Sequence, residues 1–371
     1  MKIPVVFAID NNYVKQLATV VVSILKNSNS QNAFEFNILS SYISDENKQK
    51  LCSLSNFNQN ISFNFIDMKE CISHLDLEKY MSRRDDYKYI SVETYFRFFI
   101  PDLFPQYNKV LYLDADILVM QDIKQLFDTD ISSFYAGVIQ DTVLEVFIDR
   151  EDIKTNTEPK RTYKEYFKEK LKKENQIYFN AGVLLLNLDK IRRDNVVEKL
   201  WKFAQEESPL EYQDQDILNA VLEQNIKFVD DKWNVLKDLH WFATQAKEKS
   251  REQQLFSVYK KPGIFHYVGA NKPWDSSHNE YNYPFIKEWW KYYKMTPYYK
   301  NEESEILKRI SNIQNDAKYK NYRSLILFRI LNFSLLDIFI EQYALRIVLF
   351  NFIKTRIKLK KTRLENGILK I

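Results

Sequence analysis

The chain has 371 residues, of which 45% are hydrophobic, 28% charged and 15% aromatic, and its formal net charge is +4. This length and composition are typical of a soluble protein with one large domain and an appendage, or with two domains. It contains only five glycines. Neither the G-x-G-x-x-G fingerprint nor the P-loop pattern occurs, which excludes a nucleotide site built on a glycine-rich phosphate loop.

The cysteines and the N-terminus indicate the compartment. Cys52 and Cys71 belong to no zinc or disulfide motif, so we expect small buried hydrophobic side chains in a reducing environment. The apolar run at the N-terminus reaches Asp10 too soon for a signal peptide, and we therefore expect a cytoplasmic protein.

Charge is distributed unevenly along the chain. Residues 320–371 contain eleven Lys or Arg against three Asp or Glu. That segment carries +8, so the residues before it sum to −4.

Strand and helix patterns alternate from the start of the chain. "IPVVFAI" (3–9) is a β-branched run, and the segment after it, "YVKQLATVVVSILKNS", has apolar residues at helical spacing. "FEFNILS" (34–40) and "ISFNFID" (61–67) alternate as strands around the helical pattern "DENKQKLCSLS". This βαβαβ series predicts an α/β protein with a mainly parallel, Rossmann-like sheet covered by helices on both faces. Ligands of such sheets bind outside the carboxyl ends of the strands.

The rest of the chain continues this pattern and then changes in character. Further predicted elements are a helix near 91–100, a strand in "KVLYLD", strands at 134–140 and 178–188, a helix at 211–224 and a strand at 261–269. Beyond Trp274 aromatic residues are dense, and long apolar faces mix with Lys and Arg, which predicts a helical appendage. We divide the chain into an α/β domain at 1–275 and a basic, aromatic-rich C-terminal region at 276–371. Charges interrupt every apolar stretch of that region, so we expect no spanning helix.

Two carboxylates stand inside the apolar run "KVLYLDADILVMQDI". If the strand continues through them, Asp114 and Asp116 point to the same face. Two like charges so close are unfavourable unless a cation neutralises them or one takes up a proton. A divalent metal held between these oxygens and the phosphates of a substrate meets that requirement. The alternative is a pair of aspartates in solvent at a loop end, because D-x-D alone is a weak motif.

Other predicted strand ends carry polar side chains that complement the pair. They are Asp10, Asn12 and Tyr13 after the first strand, Asn180 in "YFNAG" and His266 in "FHYVGANKPW". An imidazole beside two carboxylates favours Mn²⁺ over Mg²⁺, because nitrogen ligands suit transition metals better. The alternative for the histidine is a core side chain bonded to the backbone.

Five segments in this order and spacing resemble glycosyltransferase family 8. They are "VFAIDNNYVKQLATVVVSI", "KVLYLDADILV", "YFNAGVLLLNL", "YQDQDILNAV" and "FHYVGANKPW", which span about residues 3–275. The family includes bacterial lipooligosaccharide galactosyltransferases and lipopolysaccharide core hexosyltransferases, and it is related to glycogenin. The resemblance implies a GT-A fold, a UDP-hexose donor, Mn²⁺ with Mg²⁺ as the alternative, and retention of the anomeric configuration.

The resemblance also implies roles for single residues. The matching positions are grouped by the part of the site that they contact in the family: the metal (Asp114, Asp116, His266), the uridine and ribose (Ala8, Asp10, Asn12, Tyr13), the diphosphate (Gly269, Lys272) and the donor sugar, at the catalytic centre (Arg97, Asn180, Asp214, Gln215).

Ordinary structural roles remain open for three residues of the last group. Arg97 follows Glu93 by four residues on a predicted helix, which permits a surface ion pair. Asp214 stands near a helix start, where a carboxylate is favourable without any catalytic role. Asn180 is also suited to satisfy a backbone group at a strand edge.

Retention normally requires a carboxylate nucleophile on the far face of the sugar. The resemblance implies that Gln215 stands at that place, and it is an amide, with Asp214 and Asp216 on either side. We therefore hypothesise a front-face displacement, in which a diphosphate oxygen takes the proton of the acceptor hydroxyl. Two other classes compete. A sugar-nucleotide nucleotidyltransferase would need a glycine-rich loop after the first strand, which is absent. A non-catalytic protein that binds glycans or nucleotide sugars on the same fold is the third class.

The expected partners are a UDP-sugar and a glycan acceptor, either lipid-linked, as in a lipopolysaccharide or lipooligosaccharide, or protein-linked. No nucleic acid is expected. Galactose is favoured over glucose because of the closeness of the motifs to the galactosyltransferases. The basic segment 320–371 has two interpretations. It forms a peripheral contact with the inner face of the plasma membrane, or it packs on the catalytic domain as a helical bundle.

Overall fold

The computed structural model describes residues 2–73, 75–80, 91–269, 272–274 and 284–299, and the backbone of four strands between 323 and 358. The chain divides into two compact units, Met1–Asn301 and Glu302–Ile371. The first unit extends beyond residue 275, where we expected the catalytic domain to end. That residue 275 is the end of the catalytic part stays a prediction.

The described residues of the first unit form ten strands in two sheets. Seven strands form the main sheet in the order β3-β2-β1-β4-β7-β6-β8, and three form a small sheet in the order β5-β10-β9. In the main sheet only β7 runs antiparallel to its neighbours, so the prediction of a mainly parallel sheet is confirmed. The bounds are β1 (Lys2–Ala8), β2 (Ala33–Ser40), β3 (Ile61–Asp67), β4 (Lys109–Leu113), β5 (Ile117–Val119), β6 (Ala136–Gln140), β7 (Phe179–Asn187), β8 (Ile226–Phe228), β9 (Val235–Leu236) and β10 (Ile264–His266).

Helices cover both faces of the main sheet, and residues of β1 and β7 are therefore buried on both sides. The helices are α1 (Val14–Asn27), α2 (Asp45–Cys52), α3 (Lys69–Ile72), α4 (Ile100–Leu103), α5 (Lys124–Phe127), α6 (Thr142–Phe147), α7 (Tyr163–Glu169), α8 (Leu188–Arg193), α9 (Val196–Glu207), α10 (Asp214–Leu222), α11 (Leu239–Ala243), α12 (Lys249–Lys260) and α13 (Ile286–Tyr293). Short 3₁₀ turns cover 11–13, 53–57, 77–80, 92–99 and 231–234. Among the described residues no helix combines the length and apolarity needed to cross a bilayer.

Two local predictions were wrong, and the condition stated for the carboxylate pair is not met. The strand does not continue through Asp114 and Asp116, since β4 ends at Leu113 and a turn at 115–116 leads into a different sheet. The helix predicted near 91–100 is mostly a 3₁₀ segment, 92–99. Cys52 is exposed at the end of the polar helix α2, although both cysteines are free as expected.

Among the described residues beyond 275, the predicted helical appendage corresponds to α13 alone, which belongs to the first unit and contacts α1 through a 2.8 Å hydrogen bond from Asn27 Nδ2 to the Tyr292 hydroxyl. The second unit contains an antiparallel sheet of four strands instead: β11 (Arg323–Ile330), β12 (Phe333–Glu341), β13 (Ala344–Leu349) and β14 (Ile353–Lys358). Three of these strands contain short continuous apolar runs rather than an alternating pattern, and such runs are compatible with either a strand or a helix. The last basic residues, 359–371, lie outside the described part.

Candidate active site

A cleft of about 750 Å³ opens at the carboxyl ends of β1, β4 and β6. This is the edge at which open α/β sheets bind ligands. All thirteen site residues named from the sequence line this cleft. The structure thus brings together side chains that are up to 264 positions apart, from Ala8 to Lys272. Which part of a ligand each residue contacts stays a prediction.

Asp114, Asp116 and His266 converge in the cleft. The turn at 115–116 leads into β5, which pairs antiparallel with β10 so that His266 lies opposite Ile117. His266 Nε2 is 3.1 Å from an oxygen of Asp116 and 3.9 Å from one of Asp114. One ligand atom from each of the three residues lies within 4.8 Å of the others. Two carboxylates and one imidazole in this arrangement can hold a divalent metal ion.

This convergence requires a glycine at position 182. A Cβ atom on Gly182 would lie 2.2 Å from His266 Cε1 and 2.8 Å from Asp114 Oδ2. Both contacts are shorter than van der Waals separation allows. Because the glycine of "YFNAG" has no side chain, it leaves the space that the imidazole and the Asp114 carboxylate occupy.

Asn234 fixes the orientation of the imidazole. Its Oδ1 lies 2.9 Å from His266 Nδ1, and its own amide donates to Asn180 Oδ1 at 2.8 Å. Because an amide oxygen can only accept, the Nδ1–H group donates to it, and Nε2 is the ring nitrogen that faces the carboxylates. The histidine is buried, as in our alternative interpretation, but its partners are side chains rather than backbone.

Lys272 lies on the other side of Asp116. Its Nζ donates to Asp116 Oδ2 at 2.5 Å and to the Tyr267 carbonyl oxygen. Burial alone would raise the pKa of Asp116, but Lys272 and His266 together hold it well below its usual range. Gly269 precedes this lysine with φ +68°, in the left-handed region that favours glycine. The backbone therefore turns at Gly269 in a conformation that a side chain would strain.

Arg97 connects Asp114 to the start of α10. The guanidinium donates to Asp114 Oδ1 at 3.1 Å and to the Ala181 carbonyl oxygen at 2.7 Å, and its Nε lies 3.2 Å from Asp214 Oδ2. It is only 7% exposed. The alternative of a surface ion pair with Glu93 is therefore excluded.

Asp214 is buried and only partly satisfied. Its Oδ1 accepts from the Thr94 hydroxyl at 2.6 Å, while Oδ2, which forms the ion pair with Arg97, accepts no hydrogen bond from the described residues. Burial raises the pKa of Asp214 above its usual value, although Arg97 and Thr94 oppose this shift. The carboxylate lines the cleft, so its second oxygen is suited to accept from a ligand hydroxyl.

Asn180 and Gln215 share a partner that the sequence analysis missed. Asp141 follows β6 and accepts from Asn180 Nδ2 at 3.2 Å and from Gln215 Nε2 at 3.4 Å. Gln215 Oε1 accepts from the Ala181 N–H at 2.9 Å. Both amides are thereby oriented by one buried carboxylate, which also caps α6. Burial raises the pKa of Asp141.

Asp10, Asn12 and Tyr13 line the cleft after β1. Asp10 Oδ1 accepts from the backbone N–H groups of Asn12 and Tyr13, each at 3.0 Å, and its Oδ2 accepts from the Asn12 amide at 3.0 Å. The Tyr13 ring meets Trp274 edge-on at 6.1 Å. Asp10 therefore has a local capping role, and its predicted contact with a uracil is untested.

The sequence contained a signal for some of the missed residues and none for others. Asp141 is a carboxylate directly after a predicted strand, at the sheet edge where we expected ligands, so it could have been predicted from the sequence. Asn234 stands before a two-residue strand and gave no signal, because its role depends on His266, 32 positions away. Gly182 was quoted as part of a motif, but its steric role follows only from the geometry.

Comparisons with known proteins found a family and several relatives for this chain. The family model described as "Glycosyl transferase family 8" matches residues 4–278. A putative glycosyltransferase of Haemophilus influenzae is 28% identical over 271 residues, which are 73% of this chain and 72% of that protein. A lipopolysaccharide 1,2-glucosyltransferase of Escherichia coli is 26% identical over 319 residues, 85% of this chain and 84% of that protein.

A solved structure shows the shared fold. The galactosyltransferase LgtC, in complex with donor and acceptor sugar analogues, superposes with a TM-score of 0.63 and 24% identity. The match covers 80% of this chain and 96% of LgtC. The predicted GT-A fold is thereby confirmed.

Proposed function

We propose that this chain, which belongs to glycosyltransferase family 8, transfers a hexose from a UDP-sugar to a glycan acceptor with retention of the anomeric configuration. The observation that carries the proposal is the convergence of Asp114, Asp116 and His266 in the cleft. Such a trio suits a divalent cation that also binds phosphate oxygens.

The metal would be Mn²⁺, held by the two carboxylates and by Nε2 of His266. When bound, it supplies positive charge that stabilises the diphosphate leaving group. Lys272 places a second positive charge beside the metal position, since its Nζ donates to Asp116 Oδ2. Electrostatic stabilisation of a leaving group is usually the largest single contribution to catalysis of this kind.

The donor sugar would lie between Arg97, Asp214 and the two amides. Asp214 Oδ2 has the capacity to accept from a sugar hydroxyl. Asn180 and Gln215 are held in place by Asp141. We propose that this group orients the sugar and stabilises the positive charge that develops at its anomeric carbon.

A front-face displacement fits these residues best. A double displacement would need a carboxylate on the far face of the sugar. The Asp216 carboxylate is fully buried and bonded to two tyrosine hydroxyls, and Asp214 is ion-paired with Arg97. The acceptor hydroxyl would therefore attack from the leaving-group side and pass its proton to a diphosphate oxygen as the bond to the sugar breaks.

The donor hexose is proposed to be galactose, with glucose as the second candidate. The E. coli relative is a glucosyltransferase and LgtC is a galactosyltransferase. The two donors differ in one stereocentre. The name of the E. coli relative supports a lipopolysaccharide-type acceptor, and a protein-linked glycan is the alternative.

The test is UDP release from UDP-galactose, UDP-glucose and their N-acetylated forms, with and without Mn²⁺. We expect Mn²⁺-dependent release, with UDP-galactose fastest, and a product of retained configuration by NMR. UDP binding without release from any donor would favour the non-catalytic binding protein. Release of pyrophosphate from UTP and a sugar phosphate would favour the nucleotidyltransferase.

A further inference from the structure

The helix α11 presents one large aromatic side chain to solvent. Its apolar residues Leu239, Phe242 and Ala243 are 1%, 7% and 0% exposed, whereas Trp241 is 58% exposed. The helix is already fixed without the indole, because the His240 ring packs on Phe256 and Tyr259 of α12. An exposed tryptophan contributes little to folding, and exposed aromatic surface commonly marks a binding site.

The exposed indole lies beside the cleft. Its ring centroid is 4.7 Å from that of Phe242, and the two rings meet edge to face at 80°. Phe242 is part of the cleft lining, as are Lys237 and Asp238 at the start of the same helix. Trp241 therefore lies directly beside a residue of the cleft lining and is exposed to solvent there.

A carboxylate accompanies the indole. Asp238 is exposed and lines the cleft, and its side chain does not cap α11. Its carbonyl oxygen accepts from the Trp241 N–H at 3.0 Å, which fixes the spacing between the two residues along the helix. One apolar ring face next to a hydrogen-bond acceptor matches the surface of a pyranose, which has an apolar C–H face and a rim of hydroxyls.

We propose that Trp241 and Asp238 bind the acceptor sugar, with the indole stacked on a pyranose ring and the carboxylate accepting from its hydroxyls. This inference rests on the proposed function and adds to it that the acceptor presents a neutral pyranose at the cleft mouth. The neighbouring cations favour a neutral ligand over an anionic lipid surface, because Lys247 is paired with Asp149 and Arg150 with Asp152.

Saturation-transfer NMR with lactose, maltose and methyl β-galactopyranoside, in the presence of UDP and Mn²⁺, tests the proposal. We expect Trp241→Ala to weaken the binding of at least one sugar about tenfold, since aromatic contacts of this kind are worth about that much. Trp241→Phe should retain part of the affinity, because a smaller ring still offers a face. Asp238→Asn should weaken binding less than Trp241→Ala does.

Phe57→Ala is the matched control, because Phe57 is 41% exposed and lies outside the cleft lining. It should bind each sugar as the wild type does. UDP affinity by calorimetry in the presence of Mn²⁺ reports separately on the donor side. Sugar binding that is equal in Trp241→Ala and wild type, or absent in wild type while UDP binds, would overturn this inference alone. A wild-type protein that binds no UDP would contradict the proposed function as well.

Discussion

At the scale of single residues, the centre of the site depends on a glycine, a residue without a side chain. Gly182 leaves the space in which His266 and Asp114 approach each other. Replacing it by alanine must displace the imidazole or the carboxylate, because the neighbouring atoms would lie 2.2 and 2.8 Å from the new Cβ. We expect Gly182→Ala to lower Mn²⁺ affinity more than tenfold, measured by electron paramagnetic resonance titration.

A second buried glycine provides the control. A Cβ on Gly137 in β6 would meet its nearest atom, Ile131 Cγ2, at 3.2 Å. Gly137→Ala should therefore shift the thermal midpoint slightly and leave Mn²⁺ affinity unchanged. Equal Mn²⁺ affinity of Gly182→Ala and wild type would show that the trio does not bind the ion.

Asn234 carries a separate prediction, since it orients the histidine without lying in the cleft lining. Asn234→Ala removes the acceptor of His266 Nδ1 and the donor to Asn180. Loss of such a partner typically lowers metal affinity about 10- to 100-fold. The same titration measures this loss, and Asn64→Ala, at an asparagine in the edge strand β3, is the control. An unchanged affinity would mean that the imidazole does not need this bond.

How far single residues could be predicted depends on where they stand. Residues that follow strands, such as Asp10 and His266, were identified because parallel topology brings strand ends together. Lys272 and Gly269 came from the motif resemblance alone. Residues that act through a partner, such as Asn234, could not be found, because no sequence spacing encodes a contact between distant loops.

At the scale of elements, the start of α10 is held by a buried carboxylate. Asp216 accepts from the hydroxyls of Tyr166 and Tyr178 at 2.7 and 2.6 Å and from the Tyr212 N–H at 2.7 Å. These bonds tie α7 and β7 to the turn that presents Asp214 and its neighbouring amide. Burial nevertheless raises the pKa of Asp216 from 3.8 to about 6.

This shift predicts a pH dependence of stability. Between pH 4 and 6 the folded protein keeps a proton on Asp216 that the unfolded chain has lost, so stability falls as pH rises through this window. The loss amounts to about 3 kcal/mol. Asp216→Asn has no such proton, so its unfolding free energy relative to wild type should increase by about this amount between pH 4 and 7. Urea unfolding measures it, and a difference that is constant with pH would contradict the assignment.

Among the elements, strands and long helices were predictable and the connections were not. β3 matches its predicted bounds because "ISFNFID" alternates clearly. The segment 92–99 has apolar residues at helical spacing. Over only eight residues this spacing does not distinguish an α-helix from a 3₁₀ helix. In the second unit, apolar residues at positions 336, 338 and 340 satisfy a strand period, but long apolar runs also match a helix.

At the scale of the whole molecule, charge is separated between the body and the C-terminal segment. Residues 320–371 carry +8 and the preceding residues −4. We propose that this basic segment contacts anionic membrane, where lipid-linked glycans are found. Each basic residue near such a surface is worth about 1 kcal/mol.

Vesicle co-sedimentation of the full-length protein tests this contact. We expect binding to vesicles with anionic lipid that weakens with salt. It should fall about tenfold or more when Lys354, Arg356 and Lys358 are changed to glutamine. The double change Lys199→Gln and Lys202→Gln, at exposed positions of α9, should have little effect. Equal sedimentation of all three proteins would remove the membrane contact from the account.

The central claim is that the carboxylate pair and His266 support metal-dependent use of a UDP-sugar. Mn²⁺-dependent UDP release from UDP-galactose and UDP-glucose by wild type and Asp116→Asn tests it most directly. Wild type should release UDP only with Mn²⁺, whereas Asp116→Asn should lose at least about a thousandfold in rate and keep a folded circular dichroism spectrum. Equal release by the two proteins, or by wild type with and without Mn²⁺, would contradict the claim.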